Sequence, residues 1–277
     1  MENPYPQPNP GSPWAPPRPA PVPRMGGTAV PGGVHLSSGN YGTAPAWRLT
    51  ATGVVIMLLG ALSLGLTWMV LWGLGQLTGW PLAAALDGLA EPGGARLFPV
   101  VLIGMNLLTF LIFLTVLHFS PLSGYHGAEH KVVHCLEHYG VLDWDLARHS
   151  PRAHPRCGTT LLAGLLPLPL VALPLVGTSL WPLALLVVVV AWAARYPLGA
   201  ALQQIFTTRE PTDHQLATAL QAAALLLYRW RRDPQRRVTL WGALWVRGYP
   251  QMVAGVLVAM QVLNFLSLYL PRWLDWG

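Results

Sequence analysis

Five stretches of this chain approach or exceed the roughly 20 apolar residues that carry a helix across a hydrocarbon layer. They are Leu49–Leu74, Phe98–Phe119, Thr160–Val176, Pro182–Phe206 and Pro250–Leu270. The third contains Pro167, Pro169 and Pro174, which predict kinks. The fourth carries Arg195 near its end. Only 10% of the 277 residues are charged, against roughly 25% in a soluble globular domain. The predicted fold class is all-α, a polytopic helical membrane protein with about five transmembrane helices. Thirteen tryptophans fit that class, because aromatic rings favour the membrane–water interface.

Positive charge gives the expected sidedness, since cytoplasmic loops are enriched in Lys and Arg. With the N-terminus inside, segments 1–48, 120–158 and 207–249 face the cytoplasm. Together with Arg195 they hold 15 of the 17 basic residues, leaving only Arg96 and Arg272 outside. The expected location is therefore the inner (plasma) membrane, multi-pass. The net charge of +6 is explained by this topology, and nucleic acid is not an expected partner; the lipid bilayer is.

The chain divides accordingly. Residues 1–24 hold ten prolines and no apolar core, so they read as a disordered tail without a secretory signal. Residues 25–48 form a Gly-rich cytoplasmic segment, 49–119 the first two spans, and 120–158 a His/Cys-rich cytoplasmic segment. Residues 159–206 form spans three and four, 207–249 a cytoplasmic amphipathic and basic segment, and 250–277 the last span with a short outer tail. Within 207–249, His214–Arg232 has leucines at 216, 220, 225 and 227 and a basic end. It reads as an amphipathic helix on the membrane face, with Thr212 or Asp213 as its cap.

The chemistry concentrates between Tyr125 and Thr160, which hold six of the nine histidines, both cysteines and the only lysine. Imidazole, thiolate and carboxylate are ligands for borderline metals. His126 and His130, four residues apart, share one helical face. Glu129 between them gives the order His-x-x-Glu-His, in which the acid of one class of zinc peptidases acts on water rather than as a ligand. Glu137, eleven residues after His126, returns to within about 20° of it around an ideal helix, whereas Cys135 points away. His154 and Cys157 are three apart across Pro155, a spacing that a turn folds around one ion. Candidate metal ligands are thus His126, His130, Glu137, His154 and Cys157. Glu129 and Lys131 are the candidate catalytic groups, and Arg156 and Arg209 candidates for holding an anionic substrate. The donor mixture leans to Zn²⁺ and leaves Fe²⁺, Co²⁺ and Mn²⁺ open.

Three motifs in this order resemble the YqhQ family, uncharacterised bacterial membrane proteins described as predicted metal-dependent enzymes. They are Tyr125-His126-Gly127-Ala128-Glu129-His130-Lys131 with Glu137 beyond, His154-Pro155-Arg156-Cys157-Gly158-Thr159, and Phe206-Thr207-Thr208-Arg209-Glu210-Pro211. The resemblance spans roughly residues 25–230. It departs at the N-terminal signature, where Gly32 replaces the family's glutamate and Ser37 its arginine, and His134 replaces an asparagine. Three functions fit these residues. One is a metal-dependent hydrolase acting on a membrane protein or a lipid at the cytoplasmic face, with Glu129 as general base. The others are a scaffold with a structural zinc site that docks a cytoplasmic or membrane partner, and metal transport or sensing.

Overall fold

The computed structural model describes residues 22–79 and 98–274. The proline-rich tail expected over 1–24 lies outside the described residues up to residue 21, as do Arg96 and the last three residues of the expected outer tail. Helices dominate, and the strands among the described residues form one hairpin, β1 (Gly26–Val30) and β2 (Gly33–Ser37). Its turn is Pro31-Gly32: proline presets its own φ, and Gly32 takes the positive φ of 72° that a side chain would resist. Pairing runs from Val30↔Gly33 beside the turn to Gly26↔Ser37 at the open end.

Ten α-helices follow in the described residues: α1 (Ala46–Thr78), α2 (Phe98–Phe119), α3 (Pro121–Tyr139), α4 (Trp144–His149), α5 (Gly158–Leu165), α6 (Trp181–Ala193), α7 (Arg195–Leu202), α8 (Asp213–Arg232), α9 (Leu240–Val246) and α10 (Tyr249–Leu274). Four segments are long and apolar enough to cross a membrane: Ala46–Thr78, Val101–Phe119, Gly158–Leu175 and Tyr249–Tyr269. A fifth arises if Trp181–Ala193 and Arg195–Thr207 count as one span bent by 75°. The prolines leave their mark on the third span, which passes from α5 into a π-helical turn (Leu168–Ala172) and a 3₁₀ turn (Leu173–Leu175). Proline lacks the N–H that a continuous α-ladder needs.

Two glycines set the closest helix crossing. A Cβ on Gly53 would collide with the Met252 carbonyl, and one on Gly255 with the Thr50 carbonyl, so α1 and α10 meet backbone to backbone. Small residues at a crossing are the means by which apolar helices gain van der Waals contact where no hydrophobic drive separates protein from lipid. Beside them, α1 and α2 share a hydroxyl contact between Thr67 and Thr109 at 3.0 Å.

A second layer has its own core, built from the hairpin, α3, α4 and α8. Val34, Leu36, Tyr125, Ala128, Val132 and Leu226 are buried together there. Helix α3 starts with Pro121 in its first turn and stops at Gly140, whose φ of 72° ends the helix. Helix α8 is capped by Thr212, which exchanges hydrogen bonds with Gln215 in a capping box. Its apolar stripe of Leu216, Ala219, Ala223, Leu226 and Leu227 is buried in this core. Much of the amphipathic pattern in 214–232 is therefore packed on α3 and β2, while Leu225 and Tyr228 stay exposed. Cys135 is also core: its thiol points to the Val141 carbonyl at 3.2 Å.

If the α1–α10 crossing holds these spans together, Gly255→Leu must separate them. The expected cost is about 1–3 kcal/mol from overpacking, read as a lower melting midpoint of the detergent-purified protein. Gly60→Leu, where a Cβ meets nothing, is expected to leave the midpoint unchanged.

Candidate metal centre

Helix α3 carries His126, Glu129 and His130 on one face. His126 and His130 stack edge to face with ring centroids 4.4 Å apart, as their four-residue spacing requires. Cys157, the N-cap of α5, comes from the turn that His154-Pro155-Arg156 makes. One ligand atom from each of His126, His130 and Cys157 lies within 4.8 Å of the others.

Main-chain carbonyls fix which imidazole nitrogens take part. Nδ1 of His126 donates to the Thr207 carbonyl at 2.9 Å, and Nδ1 of His130 donates to the Arg152 carbonyl. A carbonyl only accepts, so the N–H must be on Nδ1 and the Nε2 lone pairs remain. This is the arrangement by which outer partners orient metal-binding histidines. Burial lowers the pKa of His130 well below its ordinary value, helped by the charge of His126, which keeps the ring in its ligating neutral form. Nε2 of His126 lies 3.3 Å from Cys157 Sγ. With Nδ1 already a donor, this contact is a thiol donating to an imidazole, and a metal bound by both would replace that proton. Burial pushes the Cys157 thiol up, against hydrogen bonds from Thr159 that pull it down. The donor set and its geometry fit a soft or borderline divalent ion.

Glu129 projects from the same face but is not one of the three. Its carboxyl is buried, and its Oε2 has no protein partner. Burial raises its pKa to about 7, the Cys157 charge adds to the rise, and His126 and the Gly27 backbone oppose it. The hairpin reaches it through Gly27, where a Cβ would lie 2.9 Å from Glu129 Cδ and 2.5 Å from the His35 carbonyl oxygen. A glycine at 27 is what lets strand and carboxylate meet. Gly127 does the same on the other side: its Cβ would occupy the place of the Arg209 carbonyl.

The remaining sequence candidates are placed around this cluster. Glu137 bonds Arg156, and its Oε2 accepts from His154 Nε2 at 3.3 Å. His154 Nδ1 accepts from the Arg156 backbone at 3.3 Å. Both nitrogens of His154 are thus engaged, and Glu137, paired with Arg156, also accepts from the neutral His154 ring next to the three-atom cluster. His134 donates to the Ala153 carbonyl at 2.8 Å. Lys131 is buried and meets Glu210 at 2.8 Å and the Arg148 carbonyl at 2.5 Å. Arg209 is held by its backbone, whose N–H donates to the Ser123 carbonyl at 2.9 Å. The third motif therefore braces α3: Thr207 orients His126, Arg209 docks on Ser123, and Glu210 neutralises Lys131.

Gln203 and the hairpin were not singled out by the sequence. Gln203 accepts from the His154 backbone at 2.7 Å and donates to the His154 carbonyl and to Thr160. It pins the His-Pro-Arg-Cys loop as a neighbouring strand would. A lone glutamine carries no signal for such a role. The hairpin had one, in Val30-Pro31-Gly32-Gly33-Val34, a turn dipeptide between β-branched residues. Its turn places Gly32 at the tip, while Gly26, Gly27, Thr28, His35 and Ser37 line the cavity over the cluster.

His35 latches the hairpin: Nδ1 accepts from Ala44 N–H at 3.0 Å, and Nε2 donates to the Val246 carbonyl at 3.0 Å. Accepting at Nδ1 while donating from Nε2 requires the neutral ring. Burial lowers its pKa, opposed by the Val246 bond. The unfolded chain takes up a proton near the ordinary value of about 6.5 that the folded chain refuses. This contribution to stability is present above about pH 6.5 and is lost as pH falls below it. His130 and His154, also lowered, act in the same direction, so His35 is isolated by difference. Between about pH 7.5 and about 5.5 the melting midpoint of His35→Gln is expected to fall less than that of the wild type. Equal falls would show that His35 is not held neutral.

A model of a family described as "Protein of unknown function (DUF1385)" matches residues 50–195, just over half the chain. The match contains His126, His130 and Cys157. No curated protein and no solved structure matches the chain.

Proposed function

The chain belongs to the DUF1385 family, and from that premise we propose that it is a membrane-embedded, metal-dependent hydrolase working at the cytoplasmic face. The observation that carries this reading is a three-ligand cluster beside a buried carboxylate with an orphaned oxygen. Catalytic zinc sites keep three protein ligands and one open position, whereas structural sites close with four. His126, His130 and Cys157 would hold the ion, with zinc the best match to their donor atoms. Bound there, a divalent ion acidifies water and polarises a carbonyl or phosphoryl oxygen. Glu129 takes the proton that hydrolysis releases and returns it to the leaving group. The Thr207 and Arg152 carbonyls keep the two imidazoles aimed, and Arg156 lines the cavity where an anionic substrate would enter. The distribution of basic residues supports the cytoplasmic side, and the apolar helices support a membrane setting.

The alternative, a closed structural site on a scaffold, requires a fourth ligand. His154 is the nearest in kind, its ring centroid 5.8 Å from that of His130. To bind through Nδ1 it would have to give up the Arg156 backbone, with Nε2 still donating to Glu137.

Metal content of the untagged protein tests the reading first: about one ion per chain is expected, and none in His126→Ala/His130→Ala. A cobalt-substituted sample then separates the alternatives. A thiolate–cobalt absorption band is expected to vanish in Cys157→Ser and persist in His154→Ala. Added azide is expected to shift the visible spectrum by entering an open position. A spectrum indifferent to azide, with a band that His154→Ala alters, would replace the hydrolase by the scaffold. Glu129→Gln is expected to keep the metal while lowering hydrolysis by about 10²–10⁴-fold.

A further inference from the structure

The metal cluster stands in the wall between two cavities, one mixed and basic and the other apolar. The first, about 580 Å³, is lined by Arg24, Arg156 and Arg247, with Glu129 as its one acidic side chain. The second, about 370 Å³, is lined by Phe110, Phe113, Leu114 and Leu117 of α2 and by Leu162 and Leu166 at α5. Both volumes fall in the range of ligand sites, roughly 300–1,000 Å³. Gly27, Thr28, Cys157 and Gly158 line both cavities. His126 faces the apolar one and His130 the polar one, so the cluster itself bridges them. At the junction Gly158 leaves space open: a Cβ there would meet nothing within 4 Å.

We propose that the substrate is an acyl lipid with an anionic headgroup, its chain in the apolar cavity and its headgroup against Arg24, Arg156 and Arg247. This rests on the hydrolase reading and names the substrate class of that same site. Two features of the cavities select the ligand. Walls contributed by α1, α2 and α5, each part of an apolar span, suit a hydrocarbon chain arriving from the bilayer. Arg24 and Arg247, with Arg156 beside them on its Glu137 partner, suit a phosphate-bearing head. The apolar cavity begins at the ligands His126 and Cys157 themselves. The first polar atoms met by a chain lying in it, the acyl ester, therefore fall beside the cluster and Glu129. Hydrolysis there joins the water oxygen to the acyl carbon and breaks the bond from that carbon to the headgroup oxygen. The water proton passes through Glu129 to the leaving oxygen. A fatty acid and the headgroup alcohol result, with no change of oxidation state.

The test uses the full chain, purified with its metal, and a lysophospholipid bearing a phosphoglycerol headgroup. Binding and fatty-acid release are measured together with the metal content of each sample. The wild type is expected to bind it at least about tenfold more tightly than a monoacylglycerol of the same chain length. Glycerol phosphate alone is expected not to compete. Gly158→Leu, which fills the junction, and Arg247→Ala, an exposed position at the polar end, are each expected to weaken binding at least about tenfold. Binding unchanged in Arg247→Ala, or competition by glycerol phosphate at equal strength, overturns the lipid assignment while leaving the metal site standing. Absence of metal from a wild type that still binds the lipid overturns the hydrolase reading instead.

Discussion

Two backbone carbonyls, those of Thr207 and Arg152, decide which nitrogens of His126 and His130 are free. An imidazole that donates from Nδ1 presents a lone pair at Nε2, and only then do two rings one helical turn apart converge on a single point with Cys157. Each carbonyl comes from a segment that is irregular because it must deliver that oxygen. Thr207 ends a π-helical turn that leaves the bent pair, and Arg152 sits in the loop after α4. The helix supplies the register of the histidines, and the irregular segments supply their orientation.

The same economy governs Glu129. A carboxyl buried against the hairpin needs backbone close enough to meet it, and glycine at 27 provides that approach. The hairpin is in turn tied down at His35 through Ala44 and Val246, which lie just before the first and the last span in sequence. Contacts made near the α1–α10 crossing thus reach the carboxylate through one ring.

Much of this was legible in the sequence because the governing periodicities are local. Phe98–Phe119 reads as one apolar run, and the helix ends at Phe119 as that run does. Pro167, Pro169 and Pro174 announced the break of the third span, and Arg195 marks where the bent pair turns. The four-residue spacing placed His126 and His130 on one face without further information. What the sequence left hidden depends on tertiary pairing. Glu137 shares the helical stripe with His126, yet an ion pair with Arg156 and a hydrogen bond from His154 draw it aside. The leucines of 214–232 predict an amphipathic helix but not whether lipid or protein covers them. Gln203 looks like any polar residue near the end of an apolar segment.

The residues that orient the cluster are scattered along the chain, and this sets a schedule for biosynthesis. Gly27 is made first, yet the carboxylate it meets lies on α3, and the carbonyl that aims His126 follows Gly27 by 180 positions. At ordinary translation rates of about 5–20 residues per second, roughly 10–40 s separate the two. During that interval the hairpin has no helix α8 to cover it, and the thiol and imidazoles exist without their alignment. A metal held as proposed would therefore be acquired only after the segment following the bent pair has left the ribosome.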